Sequence, residues 1–301
     1  MRRTRLLPLA ALLLCTPALA GTVPAAASPQ VTPPGPLRIL LTNDDGYNAP
    51  GIRTLYQRLT AAGHDVTIVA PLTNQSGAGT KMMTATTITI KHPEPKVWAV
   101  DGTPGDAVAF GLSEVFSGQA PDLVVSGTNF GPNVAALATH SGTVGGAVAA
   151  LEHGVPAIAV STGGLAAPVL ESTLNAMKPT SDFTVKLIDR LRAHAKSGRL
   201  LPEGLGLNVD HPVVGADGTG IAHGAAVTTQ DPQPVLAPHF TDAGDGTWKV
   251  SVSVVMQPAV EGGDVEALLA DKVSITPINP DWNSGIADFA TTAALLAGLR
   301  P

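Results

Sequence analysis

Two adjacent carboxylates, Asp44 and Asp45, follow a short apolar run that begins at Leu37. Successive side chains of a strand point to opposite faces, so both carboxylates converge on one point only where the chain leaves the strand. Gly46 makes such a turn easy. Two like charges held close repel each other unless a positive charge lies between them, and a hard divalent cation with oxygen ligands would supply it. The alternative is an ordinary solvated turn in which an Asp caps the next helix.

Two further loops carry neutral oxygen donors after apolar runs. The first contains Asn74, Gln75, Ser76 and Gly77, and the second contains Ser126, Gly127, Thr128 and Asn129, followed by Gly131 and Asn133. Ligand sites in open α/β sheets lie beyond the carboxyl ends of the strands. Each loop alone is an ordinary turn more often than not, but three at one edge predict an oxygen-ligand metal site. So few carboxylates favour Mg²⁺ or Mn²⁺ with retained waters over a full Ca²⁺ cage.

A candidate phosphate-binding helix start lies further along the chain, where Ser141, Gly142 and Thr143 precede a run of small residues. The exposed N–H groups and the dipole at a helix start favour an anion such as phosphate. The alternative is a Ser or Thr that caps the helix and binds nothing. Residues 102–106, Gly-Thr-Pro-Gly-Asp, form a similar turn into a helix and are equally open to a structural interpretation.

The elements that must position these residues alternate between strand and helix patterns, which favours a parallel sheet with crossover helices. We expect strands at 37–42, 66–70, 84–90, 97–100, 123–125 and 157–160, and helices at 49–63, 104–116, 143–153 and 181–195. After about residue 205 the pattern has more antiparallel character, with strands expected at 205–209, 249–256 and 273–275 and helices at 264–270 and 287–299. We interpret this part as an extension of one domain rather than a second domain.

The first 20 residues have the pattern of a secretion signal. Three arginines precede an apolar run that ends in Ala18-Leu-Ala20, so cleavage near Ala20 is expected, and the run is too short for a permanent membrane anchor. Residues 21–36 are rich in Ala and Pro and are interpreted as a linker. The single cysteine, Cys15, would be removed, which excludes disulfides and thiol chemistry. Removing three arginines takes the 18 basic residues to 15 against 24 acidic ones, a net charge of −9 that argues against nucleic-acid binding.

These motifs together resemble the SurE family of nucleotidases, the stationary-phase survival proteins. The matching segments are Asn43-Asp-Asp-Gly-Tyr-Asn-Ala-Pro-Gly51, Ala70-Pro71 with Asn74-Gln-Ser-Gly77, Gly102-Thr-Pro104 with Asp106, Pro121-Asp-Leu-Val-Val-Ser-Gly-Thr-Asn-Phe-Gly-Pro-Asn133, Ser141-Gly-Thr-Val144 and Val273-Ser-Ile-Thr-Pro277. They are collinear and cover residues 38–277, and together they are highly specific although none is so alone.

The resemblance implies an α/β fold, a Rossmann-like αβα sandwich of residues 37–204, with a C-terminal extension of residues 205–301 that serves in homodimer or homotetramer assembly. It implies a divalent-metal-dependent phosphomonoesterase acting on nucleoside monophosphates, with one Mg²⁺ or Mn²⁺ ion per subunit. The residues at the family's metal-ligand positions are Asp44, Asp45, Ser76 and Asn129. For phosphate and substrate binding we expect Asn43, Gly77, Asn133, Ser141, Gly142 and Thr143.

The expected mechanism is hydrolysis by a metal-activated water, with Asp44 or Asp45 accepting its proton. A covalent aspartyl-phosphate is the competing mechanism. The sequence departs from the family at His140, where a Tyr is usual, and in its export signal, which suggests a periplasmic or secreted enzyme that scavenges phosphate or nucleosides. Motifs of a dinucleotide-binding dehydrogenase, a P-loop NTPase and a Gly-x-Ser-x-Gly hydrolase are absent. The remaining alternative is an exported protein that binds a metal-phosphate ligand or a nucleotide without turnover.

Overall fold

The computed structural model describes residues 35–82, 86–164, 170–195, 198–234, 236–254, 257–281, 283 and 285–297. The expected signal peptide, residues 1–20, and nearly all of the expected linker, residues 21–36, lie outside the described residues. In the part of the chain that is described, no helix combines the length and the apolar character that crossing a bilayer requires.

The strands are β1 (Arg38–Thr42), β2 (Asp65–Pro71), β3 (Ile90–Glu94), β4 (Val97–Val100), β5 (Leu123–Phe130), β6 (Ala157–Thr162), β7 (Gly206–His211), β8 (Ala225–Val227), β9 (Leu236–Asp242), β10 (Trp248–Val254) and β11 (Val273–Ile278). The helices are α1 (Pro50–Ala61), α2 (Pro104–Phe110), α3 (Gly142–Glu152), α4 (Leu170–Ala193), α5 (Asp264–Leu269) and α6 (Ile286–Leu295). A π-helical turn, Gly111–Val115, continues α2, and a 3-10 turn, Ala135–His140, precedes α3.

Nine strands form one sheet in the order β3-β4-β2-β1-β5-β6-β7-β11-β8, and β9 and β10 form a separate antiparallel pair. The neighbours of β1 are β2 and β5, both parallel to it, so the chain leaves β1 in one direction along the sheet and later returns on its other side. Such a reversal of strand order opens a crevice at the carboxyl ends of the strands. The α/β, Rossmann-like prediction is confirmed. Strands β7, β11 and β8, which follow residue 205, belong to the same sheet.

The core lies on both faces of this sheet because its central strands are apolar on both sides. Ile39 and Leu41 of β1 pack with α1 and α4, whereas Leu40 between them packs with α2 and α3 on the opposite face. All three side chains are fully buried. This is the pattern expected of a parallel strand covered by helices on both faces.

Several boundaries differ from those expected. The strand expected at 84–90 is wrong: the strand that pairs with β4 is β3, which contains Pro93, a residue that an edge strand tolerates because no neighbour needs its N–H. Residues 83–85 lie outside the described residues. Helix α4 begins at Leu170 rather than at 181 and continues through Pro179, with the hydroxyls of Thr180 and Ser181 donating to carbonyls one turn earlier. Strands β8 and β9 were not expected from the sequence, because their apolar residues are mostly exposed.

Candidate active site

The turn after β1 is built by the side chain of Asn43, which is fully buried. Its amide oxygen accepts the Gly46 N–H at 3.2 Å, and its amide nitrogen donates to the Gly46 carbonyl at 3.0 Å. Gly46 has a φ of +107°, a left-handed conformation that favours glycine. The chain therefore leaves the strand at Asp44 and Asp45. The amide of Asn43 holds this turn, and its binding to phosphate stays a prediction.

Asp44 is the more deeply buried of the two carboxylates, with only 2% of its surface exposed. Its Oδ1 accepts the hydroxyl of Thr143 at 2.6 Å, and the backbone N–H groups of Gly142 and Thr143 also donate to it. A Cβ on Gly142 would lie 2.8 Å from the Asp44 Cβ, so the close approach requires glycine. Burial raises the pKa of Asp44, and these hydrogen bonds oppose part of that rise. The anion held at the start of α3 is thus the carboxylate of Asp44.

Asp45 is half-buried, and its Oδ2 accepts the backbone N–H of Phe130 at 3.1 Å. Burial, followed by the repulsion of the Asp44 charge, raises the pKa of Asp45 to about 6. Across the described residues, no Lys or Arg forms an ion pair with either carboxylate. Two carboxylates that repel each other without a cationic side chain between them form an electrostatic site for a cation.

The loop after β2 is tied directly to this pair. The N–H of Gln75 donates to the Asp44 carbonyl at 2.7 Å. Ser76 therefore directly follows a residue that is hydrogen-bonded to Asp44. Ser76 is exposed, and its N–H donates to the Asn74 side chain at 2.8 Å, so its hydroxyl is available to a ligand. Gly77 is exposed as well and has a φ of +82°.

The loop of β5 brings the fourth expected ligand to the same place. Asn129 precedes Phe130, whose N–H binds Asp45, and the amide nitrogen of Asn129 donates to the Gly131 carbonyl at 2.9 Å. That bond fixes which end of the amide is engaged and leaves the Asn129 oxygen for a ligand. All four expected metal-ligand residues therefore lie at the carboxyl ends of β1, β2 and β5, although their role as ligands stays a prediction.

This donor set fits a hard divalent cation. It consists of two carboxylates, a hydroxyl and an amide oxygen, the ligand types of Mg²⁺ and Mn²⁺. Within the described ranges, no cluster of three or more His, Cys, Asp or Glu side chains is arranged for a metal ion. Three hydroxyls on the strands that carry the site, those of Thr42, Ser126 and Thr128, are buried without a hydrogen-bond partner. Such orphaned groups mark a place where the fold is not arranged for stability alone.

The structure separates the residues expected to bind phosphate. Ser141 caps α3, its hydroxyl accepting the Val144 N–H at 3.2 Å, while Gly142 and Thr143 contact Asp44. Asn133 is instead buried and engaged by neighbouring strands: its N–H donates to Asp210 at 2.6 Å and its side chain donates to Ser161 at 2.8 Å. The binding of phosphate by these residues stays a prediction.

Sequence reasoning missed several buried polar residues that support the candidate site from outside the carboxylate pair. Asn208 and Asp210 lie two residues apart at the end of β7, hence on one face of the strand, and both are buried. Polar residues at the carboxyl end of an apolar strand are a signal that could have identified them. Asp264 at the start of α5 had the pattern of an ordinary helix start, and nothing in the sequence indicated its contact with residue 135.

Comparisons with known proteins show what this chain is similar to in sequence and in fold. The family model described as "Survival protein SurE" matches residues 39–234. A relative named 5'-nucleotidase SurE from Paramagnetospirillum magneticum is 36% identical over 83% of this chain and 92% of its own length. A second, with the same name, from Thermosynechococcus vestitus is 33% identical over 84% of this chain and 95% of its own length.

The crystal structure of the SurE protein from Aquifex aeolicus superimposes with a TM-score of 0.71 at 29% sequence identity. The match covers 86% of this chain and 99% of that protein, so the two share the fold over nearly the whole of the smaller chain. Because the family model spans well over half of the sequence and the relatives exceed 30% identity across most of both chains, this chain belongs to the SurE family.

Proposed function

We propose that this chain is a divalent-metal-dependent phosphomonoesterase that releases phosphate from nucleoside monophosphates, using one Mg²⁺ or Mn²⁺ ion per subunit. The observation that carries the proposal is the pair Asp44 and Asp45, held together by bonds from α3 and β5 and left without a cationic side chain among the described residues. Membership of a family whose relatives are named 5'-nucleotidase SurE supports nucleotide hydrolysis.

The two carboxylates have different tasks in this proposal. Asp44 is fixed by Thr143 and by the start of α3, so it serves as a stationary ligand. Asp45 is more exposed and has only its Oδ2 engaged by a backbone N–H, so its other oxygen is free to take a proton from an attacking water. A bound divalent cation would supply the Lewis acidity, polarising a phosphoryl oxygen and lowering the pKa of that water. Ser76 and Asn129 would fix the geometry around it.

A groove beside the same helix start is a candidate site for the nucleoside. It encloses about 270 Å³ and is lined by Ser141, Val144, Val148, Gln230, Ile278 and Asn279. Its walls combine apolar side chains with two amides, which suits the faces and the edge of a nucleobase. Ser141 lies next to the residues that contact Asp44, so a phosphate at the carboxylate pair and a base in the groove would belong to one molecule.

Phosphate release from adenosine monophosphate tests the proposal. We expect turnover with Mn²⁺ or Mg²⁺ and its loss after exhaustive chelation, restored when the metal is added back. Asp45→Asn should abolish turnover while leaving the fold intact, as judged by circular dichroism. Nucleotide binding by calorimetry, without any phosphate release under these conditions, would instead establish the alternative of a binding protein without turnover.

We also propose that the chain assembles as a homo-oligomer through its C-terminal extension. The β9–β10 hairpin exposes Phe240, Trp248, Val250 and Val252, each more than half exposed, and α6 has no buried residue although Ile286 and Phe289 are apolar. An amphipathic helix and a hairpin are stable in water only when packed against something, and a second copy is the simplest partner. Val250→Lys should shift the light-scattering mass to that of a monomer, and an unchanged mass would contradict this assignment.

Export remains a proposal that rests on the sequence of residues 1–20 alone. The mature chain would begin near Gly21 and reach the periplasm or the medium, without a stable membrane anchor. Mass spectrometry of the native product decides the matter. A cytoplasmic protein that retains residues 1–20 would contradict it.

A further inference from the structure

The segment 133–136 connects two parts of the candidate active site. It follows Asn129 and Phe130 at the end of β5 and leads through the 3-10 turn to Ser141 at the start of α3. Ala135 within it has a φ of +50°, which is uncommon for a residue with a side chain and is kept only where the surroundings fix it. The segment therefore links the end of the strand that carries Asn129 to the helix start that holds Asp44.

One end of the segment is held by β7. Asp210 accepts the Asn133 N–H at 2.6 Å, and Asn208 donates to the Asn133 carbonyl at 2.8 Å. Asn208 also donates to Asp210 at 3.1 Å, so the two side chains act together. The side chain of Asn133 donates to Ser161 at 2.8 Å. The main-chain N–H and carbonyl of Asn133, together with its side-chain nitrogen, are thus engaged by neighbouring strands.

The other end is held by the part of the chain after residue 228. Asp264 accepts the Ala135 N–H at 2.9 Å with one oxygen and the N–H groups of Asp231 and Val265 with the other. Gln230 donates to the Ala135 carbonyl at 2.9 Å, and the Ala136 N–H donates to the Gln233 carbonyl at 3.0 Å. Successive peptide groups of the segment are therefore fixed from outside it.

Stability alone is a poor explanation of this arrangement. Asp210 and Asp264 are almost completely buried, and across the described residues neither forms an ion pair with a Lys or Arg. Burial raises the pKa of both carboxyls, and a neighbouring carboxylate adds to each rise, Asp264 for Asp210 and Asp231 for Asp264. A buried carboxyl without a cation is costly whether it is ionised or kept protonated, so its presence beside a functional loop calls for a role in that loop.

We propose that Asp264 and Asp210 are positioning residues of the active site, which set the place of Asn129 and of the α3 start by fixing the main chain at Ala135 and Asn133. The proposal rests on the proposed phosphatase function but concerns residues outside the carboxylate pair. Neither side chain contacts the substrate in this assignment, and both act through the peptide groups they hold.

Asp264→Asn tests the proposal with little change of volume. The amide replaces one acceptor oxygen by a donor, which then faces a backbone N–H, so the segment must shift. We expect hydrogen exchange of peptides covering 130–141 to accelerate at least tenfold. With p-nitrophenyl phosphate and saturating Mn²⁺, kcat/KM should fall about 10- to 100-fold, the range expected when a catalytic geometry is misplaced by about an ångström. The Mn²⁺ concentration at the midpoint of thermal stabilisation should rise.

Asp122→Asn is the matched control. The carboxylate of Asp122 is also buried and accepts a backbone N–H, that of Arg38 at 2.8 Å, but it pairs with the Arg38 guanidinium as well, at 3.2 Å. It precedes β5 and therefore lies at the amino end of that strand, opposite the carboxyl end that carries the site. The Asp122→Asn variant should have a lower melting temperature than the parent. At temperatures below its unfolding transition, its hydrogen exchange at 130–141 and its kcat/KM should equal those of the parent. If Asp264→Asn does not fold, Gln230→Ala carries the test, because Gln230 is exposed and its loss frees the carbonyl of Ala135, the residue whose N–H Asp264 holds. Gln230 also lines the groove assigned to the base, so this variant is assayed only with p-nitrophenyl phosphate, which carries no nucleobase.

The outcomes separate the two proposals. Parental exchange and parental kcat/KM in folded Asp264→Asn or Gln230→Ala would overturn the positioning role, even if the parent is an active phosphatase. A parent without phosphatase activity would overturn the proposed function. Accelerated exchange at 130–141 in the variants would then still show that the segment is held as inferred, while its role in catalysis would be refuted.

Discussion

The hydroxyl of Thr143, at the start of α3, donates to Oδ1 of Asp44, at the end of β1, over a distance of 2.6 Å and across 99 residues of sequence. Both side chains are buried. The contact joins the first turn of a helix to the carboxylate that follows the central strand, so the positive end of the helix dipole faces that carboxylate. The helix start thereby favours the ionised form that a metal ligand needs.

Thr143→Val should damage the site more than it damages the fold. The two side chains have nearly the same shape, but the variant removes a hydrogen bond to a buried carboxylate, an interaction worth about 1.5–3 kcal/mol. We expect kcat/KM to fall at least tenfold, and the Mn²⁺ requirement to increase, because the pKa of Asp44 rises further. Thr143→Ser retains the hydroxyl and is the control. Equal activity of the Val and Ser variants would show that the contact is not needed.

Asp45→Asn should have opposite effects on stability with and without metal. In EDTA, burial and the Asp44 charge hold the pKa of Asp45 at about 6, above its unfolded value of 3.8. The folded state therefore loses stability relative to the unfolded state as the pH rises from about 4 through 6. The amide does not titrate, so at pH 8 the apo variant should melt at or above the parental temperature.

With saturating Mn²⁺ the order should reverse. A ligand that binds only the native state stabilises it by about 2.7 kcal/mol at 100 times its dissociation constant, and the variant should lose most of that gain. Thermal melts at pH 8, with EDTA or with Mn²⁺, measure both effects on one sample. A variant that keeps the parental Mn²⁺ shift would show that Asp45 is not a ligand, and a lower apo melting temperature would favour the ordinary-turn alternative.

The sequence predicted the central part of the fold and the location of the carboxylate pair. Short-range patterns were sufficient there: Ile39 to Leu41 are apolar on both faces, and Asn43 and Gly46 specify the turn. The family resemblance added Ser76 and Asn129, which lie at the ends of neighbouring strands.

What the sequence did not predict depends on long-range contacts. The Phe130 N–H to Asp45 and the Asp264 contact to Ala135 join residues 85 and 129 positions apart, and no local pattern encodes such pairs. Helix α4 was predicted too short: it was expected from residue 181, whereas it begins at Leu170 and continues through Pro179. Of the β9–β10 hairpin, only β10 was predicted. Strand β9 exposes most of its side chains, so it lacks the alternation of apolar and polar residues that is typical of a strand packed on a core.

Asn279→Trp should distinguish nucleotides from simple phosphate esters. Asn279 is exposed at the rim of the groove beside Ser141, and a bulky ring there would fill the volume assigned to the base. We expect KM for adenosine monophosphate to rise at least fivefold, while KM for p-nitrophenyl phosphate stays within twofold. Steady-state kinetics with both substrates measure the ratio. Equal changes for both would contradict the groove as the nucleoside site.

Asp210→Asn should flatten the dependence of stability on pH. Burial, aided by the charge of Asp264, raises the pKa of Asp210 to about 7 from 3.8. Between these values the folded state keeps a proton that the unfolded state has lost, so stability is greatest at low pH and falls as the pH rises through 7. Each pKa unit corresponds to 1.36 kcal/mol, so the full effect is on the order of 4 kcal/mol. The amide of the Asp210→Asn variant does not titrate, so it contributes no dependence of stability on pH.

Urea unfolding in EDTA between pH 4.5 and 8 measures this difference, because the titrations of Asp44, Asp45 and Asp264 are present in parent and variant alike. Asp210→Asn loses a constant amount of unfolding free energy at every pH, because its amide faces Asn208. The difference in unfolding free energy between the parent and the variant should nevertheless shrink by about 2–4 kcal/mol from the lowest to the highest pH, because the parent loses stability as Asp210 ionises. Ser161→Ala removes a partner of the same buried network that does not titrate, and its cost should be equal at every pH. A parallel pH dependence of Asp210→Asn and the parent would mean that Asp210 is already ionised in the folded protein at pH 4.5.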